Sequence, residues 1–120
     1  MENLQAVPSL NVSIEKFVDY VNAIFERNQV INQRKILVIN HSGLWTKLVT
    51  EQWSKDELIS RSVYAFISRT DNCTKTLGQL VHGGIYKPAS WAAPAKHARG
   101  NVFDEKSWTC AGEYGIVYLK

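Results

Sequence analysis

The sequence predicts an α+β fold: one N-terminal amphipathic helix packed on a mostly antiparallel sheet of about five strands. Three observations predict it. Ile14, Phe17, Val18, Val21, Ile24 and Phe25 recur at the i, i+3, i+4, i+7 spacing of a single helical face. Residues 62–68 set Val63, Ala65 and Ile67 against Tyr64, Phe66 and Ser68, the period of a strand. Short β-prone runs bounded by polar and glycine positions recur through the rest of the chain. The helix carries an apolar stripe that must be covered, and a sheet supplies the cover.

Residues 1–12 are polar, contain Pro8 and show no clear period, so they read as a flexible arm on a single domain spanning 1–120. The helix is expected over residues 13–28, with Ser13 as N-cap and Val12 stapled onto Phe17. Its other face carries Glu15, Lys16, Asp19, Asn22, Glu26 and Arg27. Residues 35–40 are a short β-branched strand, His41-Ser42-Gly43 is a turn, and residues 44–51 return as the second arm of a hairpin. Residues 52–58 fit either one helical turn capped by Ser54 or a long hairpin connection. Residues 62–68 form a central strand with one face on the helix. Gly83-Gly84 turns the chain into a strand at 85–87, which Pro88 ends by removing a ladder donor. Pro94 then opens a short helical turn to Arg99, with Gly100 as its C-cap, and residues 114–119 close the chain as a terminal strand.

Composition sets outer bounds on function. The chain has 120 residues, 45% hydrophobic and 21% charged, which suits one compact domain and is too apolar for a disordered one. It contains no apolar run long enough to cross a bilayer and no secretory signal pattern, so the expectation is a soluble protein that is intracellular or exported by an unusual route. Cys73 and Cys110 have neither Cys-x-x-Cys spacing nor a histidine at zinc-ligand distance, and are read as reduced thiols rather than a metal site. Gly78, Gly83 and Gly84 form no phosphate-cradling loop, so no cofactor is expected.

Charge is the informative quantity, because the net +3 is unevenly placed. Residues 1–71 hold eight basic and eight acidic side chains, whereas between Asp71 and Asp104 there is no acid at all. That interval carries Lys75, Lys87, Lys96 and Arg99 with His82 and His97. Lysine and arginine neutralise phosphates and release counterions, and an aromatic beside them gives a base a flat surface to stack on. Tyr86, Lys87, Trp91, Lys96, His97, Arg99 and Asn101 meet that description. Tyr86 and Trp91 would stack, Lys87, Lys96 and Arg99 would contact phosphates, and Asn101 would hydrogen-bond a base or phosphate. The competing reading makes the same segment a structural clasp, with Trp91 and Arg99 locking a turn by packing and hydrogen bonds. Exposure of Trp91, Lys96 and Arg99 decides between them.

Histidine chemistry is the available enzymatic alternative. It would use His41-Ser42 with Asp56 or Glu57, or His82 and His97 as an acid and base on a phosphodiester. Nothing in the spacing demands either.

The run Ile85-Tyr86-Lys87-Pro88-Ala89-Ser90-Trp91-Ala92-Ala93-Pro94-Ala95-Lys96-His97-Ala98-Arg99-Gly100-Asn101-Val102, with Ser62-Val63-Tyr64-Ala65-Phe66-Ile67 upstream, resembles a signature of small uncharacterised proteins of tailed bacteriophages. The resemblance covers about a third of the chain and leaves out the helix. Where many of those proteins carry an acidic residue, this chain has Gly84. The likeness implies a phage origin, the cytoplasm of an infected bacterium, and no stated activity. The expectation is therefore a binder of single-stranded RNA or DNA rather than an enzyme. The second expectation is an interaction protein that inhibits a host enzyme or defence component, and the third a small histidine-dependent phosphodiesterase.

Overall fold

A computed structural model of the chain describes residues 9–27, 33–75, 77–112 and 115–116. It has the α+β architecture expected, with helix α1 (Leu10–Arg27) on a five-stranded antiparallel sheet. The strands are β1 (Gln33–Ser42), β2 (Trp45–Ser54), β3 (Glu57–Ser68), β4 (Cys73–Thr74), β5 (Gly78–Gln79), β6 (Gly84–Tyr86), β7 (Gly100–Asn101), β8 (Ala111–Gly112) and β9 (Gly115–Ile116). The main sheet runs β1-β2-β3-β6-β7, while β4-β5 and β8-β9 are separate small hairpins. A 3-10 helix spans Glu105–Cys110. Residues 1–8 of the expected arm, and most of the expected terminal strand at 114–119, lie outside the described residues.

Helix α1 starts one turn earlier than its sequence suggests. Ser9, not Ser13, serves its N-terminus: Val12 N donates to Ser9 Oγ at 3.2 Å and Ser13 N to Ser9 O at 3.0 Å. The reason is Leu10, which extends the apolar stripe by a turn and packs on the core, leaving Ser13 buried inside the helix as a small residue. Val12 is exposed, so it does not staple onto Phe17. Ile14, Phe17, Val21 and Phe25 are at most 1% exposed, and burying each contributes about 1.5–3 kcal/mol. They meet Leu37 and Leu48 of the first hairpin and Ala65 and Ile67 of β3, with Trp108 edge-on to Phe17 at 5.5 Å. Asn22 lies on the same helix, and its Oδ1 accepts from Leu37 N at 2.8 Å, which satisfies one donor on the open edge of β1.

Residues 52–58, ambiguous in sequence, are a tight hairpin: Ser54 pairs with Glu57 across the Lys55-Asp56 turn, with Lys55 at φ 56. Strand β3 departs from strict alternation. Opposite β2 the register jumps between Leu48 and Val49 and again between Gln52 and Trp53, which leaves Tyr64 and Ile59 as extra, bulged residues. Tyr64 therefore turns to the helix side with Ala65 and Ile67, while Val63 packs with Phe66 on the outer face. The Tyr64 hydroxyl donates to Gly112 O at 2.6 Å, and burial raises its pKa.

The segment expected to be helical at 94–99 is an irregular loop. Pro88 and Pro94 form an isolated antiparallel bridge, Ala95 N donates to Lys87 O at 2.7 Å, and the amides of Ala89 and Ser90 both donate to Ala93 O. His97 sits at φ 73, a left-handed conformation that no helix accommodates. Gly100 is thus the start of β7 rather than a helix cap, and it pairs with Ile85. Gly84, where a Cβ would lie 2.9 Å from Val81 O, has no room for a side chain.

Candidate nucleic-acid interface

The two faces of the sheet are covered unequally. Helix α1 closes the inner face. On the outer face, Phe66, Leu80 and Tyr86 form a smaller cluster under the β4-β5 hairpin, joined by Trp45, whose ring meets Tyr86 edge-on at 5.2 Å. Among the described residues, nothing gives such cover to the outer side of β1, β2 and the far part of β3. Cross-strand pairing puts Val38, Val49 and Val63 in one row and Asn40, Lys47 and Phe66 in the next, with Glu51 opposite Arg61 beyond them.

The 88–99 loop projects Trp91 over this open half. Trp91 is 53% exposed, and Lys47 Nζ lies 4.4 Å from its ring centroid and 5.8 Å from that of Phe66. Trp91 and Arg61 together border two recesses. One is floored by Val63 and walled by Pro88, Ala89 and Ser90; the other is lined by Val38, Asn40, Val49 and Glu51. Arg61 donates from Nε and Nη2 to Glu51 Oε2, both at 2.9 Å, and Trp53 Nε1 donates to Glu51 Oε1 at 3.3 Å. The one carboxylate among these lining residues is therefore paired with a cation.

The seven residues singled out from sequence divide into two groups. Trp91, Lys96 and His97 are exposed. The other four hold the loop in place. Tyr86 is 2% exposed, with its hydroxyl accepting from Val81 N at 3.1 Å, so neither of its ring faces is open to a base. Lys87 Nζ donates to Ile116 O at 2.8 Å. Arg99, half-buried, donates from Nη1 to Lys96 O and His97 O, both at 2.9 Å, while its backbone amide donates to Ile85 O. Asn101 Nδ2 donates to His82 O at 3.0 Å, and its Oδ1 accepts from Phe103 N at 2.9 Å. The motif is thus partly a clasp, and the clasp presents Trp91.

Lys47, Arg61, Asn40 and Glu51 were not singled out from sequence. The signal for Lys47 and Glu51 was the alternation Trp45, Lys47, Val49, Glu51, Trp53, which places aromatic and charged side chains on one face of β2, whereas Asn40 and Arg61 join them only through the pairing of β1 and β3 with that strand. The histidines do not converge on carboxylates. His41 Nδ1 is 2.7 Å from Thr46 Oγ1 and 3.1 Å from Arg69 Nη1, at the end of β2 opposite to Asp56 and Glu57. The ring of His82 tilts against Phe103, 5.4 Å between centroids. Cys73 is an exposed free thiol and Cys110 a buried one. Among the described residues there is no cluster of His, Cys, Asp and Glu able to hold a metal, and no helix long and apolar enough to cross a membrane.

A family model spans residues 9–114. The chain belongs to DUF7717, a family of unknown function. The DUF7717 match runs from the start of α1 beyond β8, so it includes both the open sheet face and the loop that carries Trp91. No curated protein and no solved structure matches the chain.

Proposed function

We propose that this DUF7717 chain is a phage-encoded protein that binds single-stranded RNA or DNA across the outer face of its sheet. The observation that carries the reading is Trp91, a large aromatic left 53% exposed by a loop whose own backbone and side chains fix its position. An unneeded indole would bury its ring for about 1.5–3 kcal/mol or more; this one stands beside Lys47 and Arg61 with Lys96 and His97 exposed on the same loop. Stacking on Trp91 supplies sequence-tolerant affinity and the basic side chains supply phosphate contacts. The acid-free interval between Asp71 and Asp104 supports the same reading, since a polyanion approaching the loop meets no carboxylate from it.

A salt titration tests it. Affinity for a labelled single strand is expected to fall as salt rises, with a log–log slope of about −0.7 for each phosphate contact. Lys47→Ala combined with Lys96→Ala is expected to make that slope shallower by about 1.4. Affinity indifferent to salt would refute the proposal.

A protein partner is the second reading. It is supported by the end of the β2-β3 hairpin, where Leu58 and Ile59 are 36% and 53% exposed beside the half-buried Trp53. A stoichiometric host protein that co-purifies after nuclease treatment would favour it over the first.

A further inference from the structure

The recess on the β1 side of Trp91 has a volume of about 230 Å³ and a chemistry more specific than stacking requires. Val38 and Val49 give it an apolar floor and Trp91 an aromatic wall, as a flat heterocycle needs. Its polar groups are Asn40, Glu51 and Arg61. A carboxylate only accepts hydrogen bonds and a guanidinium only donates them. A ligand edge satisfying both must carry donors and acceptors side by side.

We propose that this recess takes a guanine base, stacked on Trp91, with its edge read by Glu51 and Arg61. The inference rests on the single-strand reading above and names the base that the site prefers. Glu51 is held in position by its neighbours. Its side chain is 14% exposed, both Arg61 bonds go to Oε2, and Oε1 has Trp53 Nε1 as its partner at 3.3 Å, which leaves accepting capacity on Oε1. Arg61 uses Nε and Nη2 on Glu51 and is 57% exposed, and a guanidinium has five N–H donors, so donors remain for a ligand. Guanine presents two neighbouring donors, N1–H and the 2-amino group, beside the O6 and N7 acceptors that arginine commonly reads. Thymine and uracil present one N–H flanked by two carbonyl oxygens, which would face the Glu51 carboxylate. Adenine and cytosine offer a single amino group and fall between.

The experiment is fluorescence anisotropy on the full chain, with a labelled thymidine-only DNA strand and the same strand carrying two guanines. The guanine strand is expected to bind about tenfold more tightly, within the range of one good base-edge pairing. Hypoxanthine in place of guanine removes the 2-amino group and is expected to lose part of that gain, an arm that needs no variant protein. Glu51→Gln is expected to bring the ratio of the two strands close to one. Equal binding of the two strands by the unaltered chain overturns the inference and leaves the single-strand reading intact. So does a preference that survives Glu51→Gln. Binding of neither strand overturns both.

Discussion

The helix-facing side of the sheet and its outer side differ in what covers them and in what is left open. The inner side meets an apolar stripe along the whole of α1, and Leu37, Leu48, Ala65, Ile67 and Ile85 are at most 3% exposed. Among the described residues, the outer side is closed over β3 and β6 by Phe66, Leu80 and Tyr86, and its other half carries Lys47, Glu51 and Arg61 under an exposed Trp91. A single sheet therefore separates two roles. Apolar contact on one face supplies stability, and under the proposed reading the aromatic and charged groups held on the other make contact with a ligand. The 87–101 loop repeats the division on a smaller scale, with Arg99 and Asn101 bonded to backbone and Trp91 and Lys96 facing outward.

Substitutions on the two faces should separate accordingly. Phe17→Ala removes a fully buried ring from the inner face and is expected to cost about 3–5 kcal/mol in denaturant unfolding. The fraction that remains folded should keep its strand affinity. Within the loop, Arg99→Ala is expected to cost about 1–2 kcal/mol, because the carbonyls of Lys96 and His97 lose their shared donor. Lys96→Ala, three residues away and exposed, is expected to stay within about 0.5 kcal/mol. If the two changes destabilised equally, the division between clasp and contact would not hold.

Alkaline pH offers a smaller perturbation of the inner face. Burial raises the pKa of both Tyr64 and Cys110, so the folded state favours their neutral forms. The unfolded chain releases these protons first, at about pH 8.5 for a thiol and about 10 for a phenol. Stability from these groups is therefore complete at neutral pH and is lost as pH rises through the unfolded values toward the folded ones. Thermal unfolding followed from pH 7 upward is expected to show a falling Tm, with an earlier onset in the native chain than in Cys110→Ala compared with its own neutral-pH value.

Much of this organisation was legible in the sequence. The stripe from Ile14 to Phe25 marked the helix and His41-Ser42-Gly43 marked the turn between β1 and β2, because both signals are local, whereas residues 52–58 stayed ambiguous and the small β4-β5 and β8-β9 hairpins left no such mark. What escaped was set by tertiary packing. The start of α1 moved because Leu10 found the core, which made Ser9 the cap and buried Ser13. The alternation of residues 62–68 failed at Tyr64, since a bulge adds a residue without leaving a mark in composition. The 94–99 stretch looked helical from Pro94 and Gly100, yet Lys87 O and the Arg99 side chain engage backbone groups there in other bonds. At the candidate interface, the basic loop was visible as a gap in acidic residues. Its companions Lys47 and Arg61 were not, because they belong to it only through the pairing of β2 with β3 and the path of a loop some thirty residues further on.

Trp91→Ala tests the central claim most directly, with strand affinity and unfolding measured on the same preparation. An exposed ring that serves as a stacking surface should give a Tm change of no more than a few degrees, together with a loss of about 5- to 100-fold in affinity for a single strand. An affinity unchanged by Trp91→Ala, with the fold intact, would contradict the account and leave the outer face of this sheet without its proposed ligand.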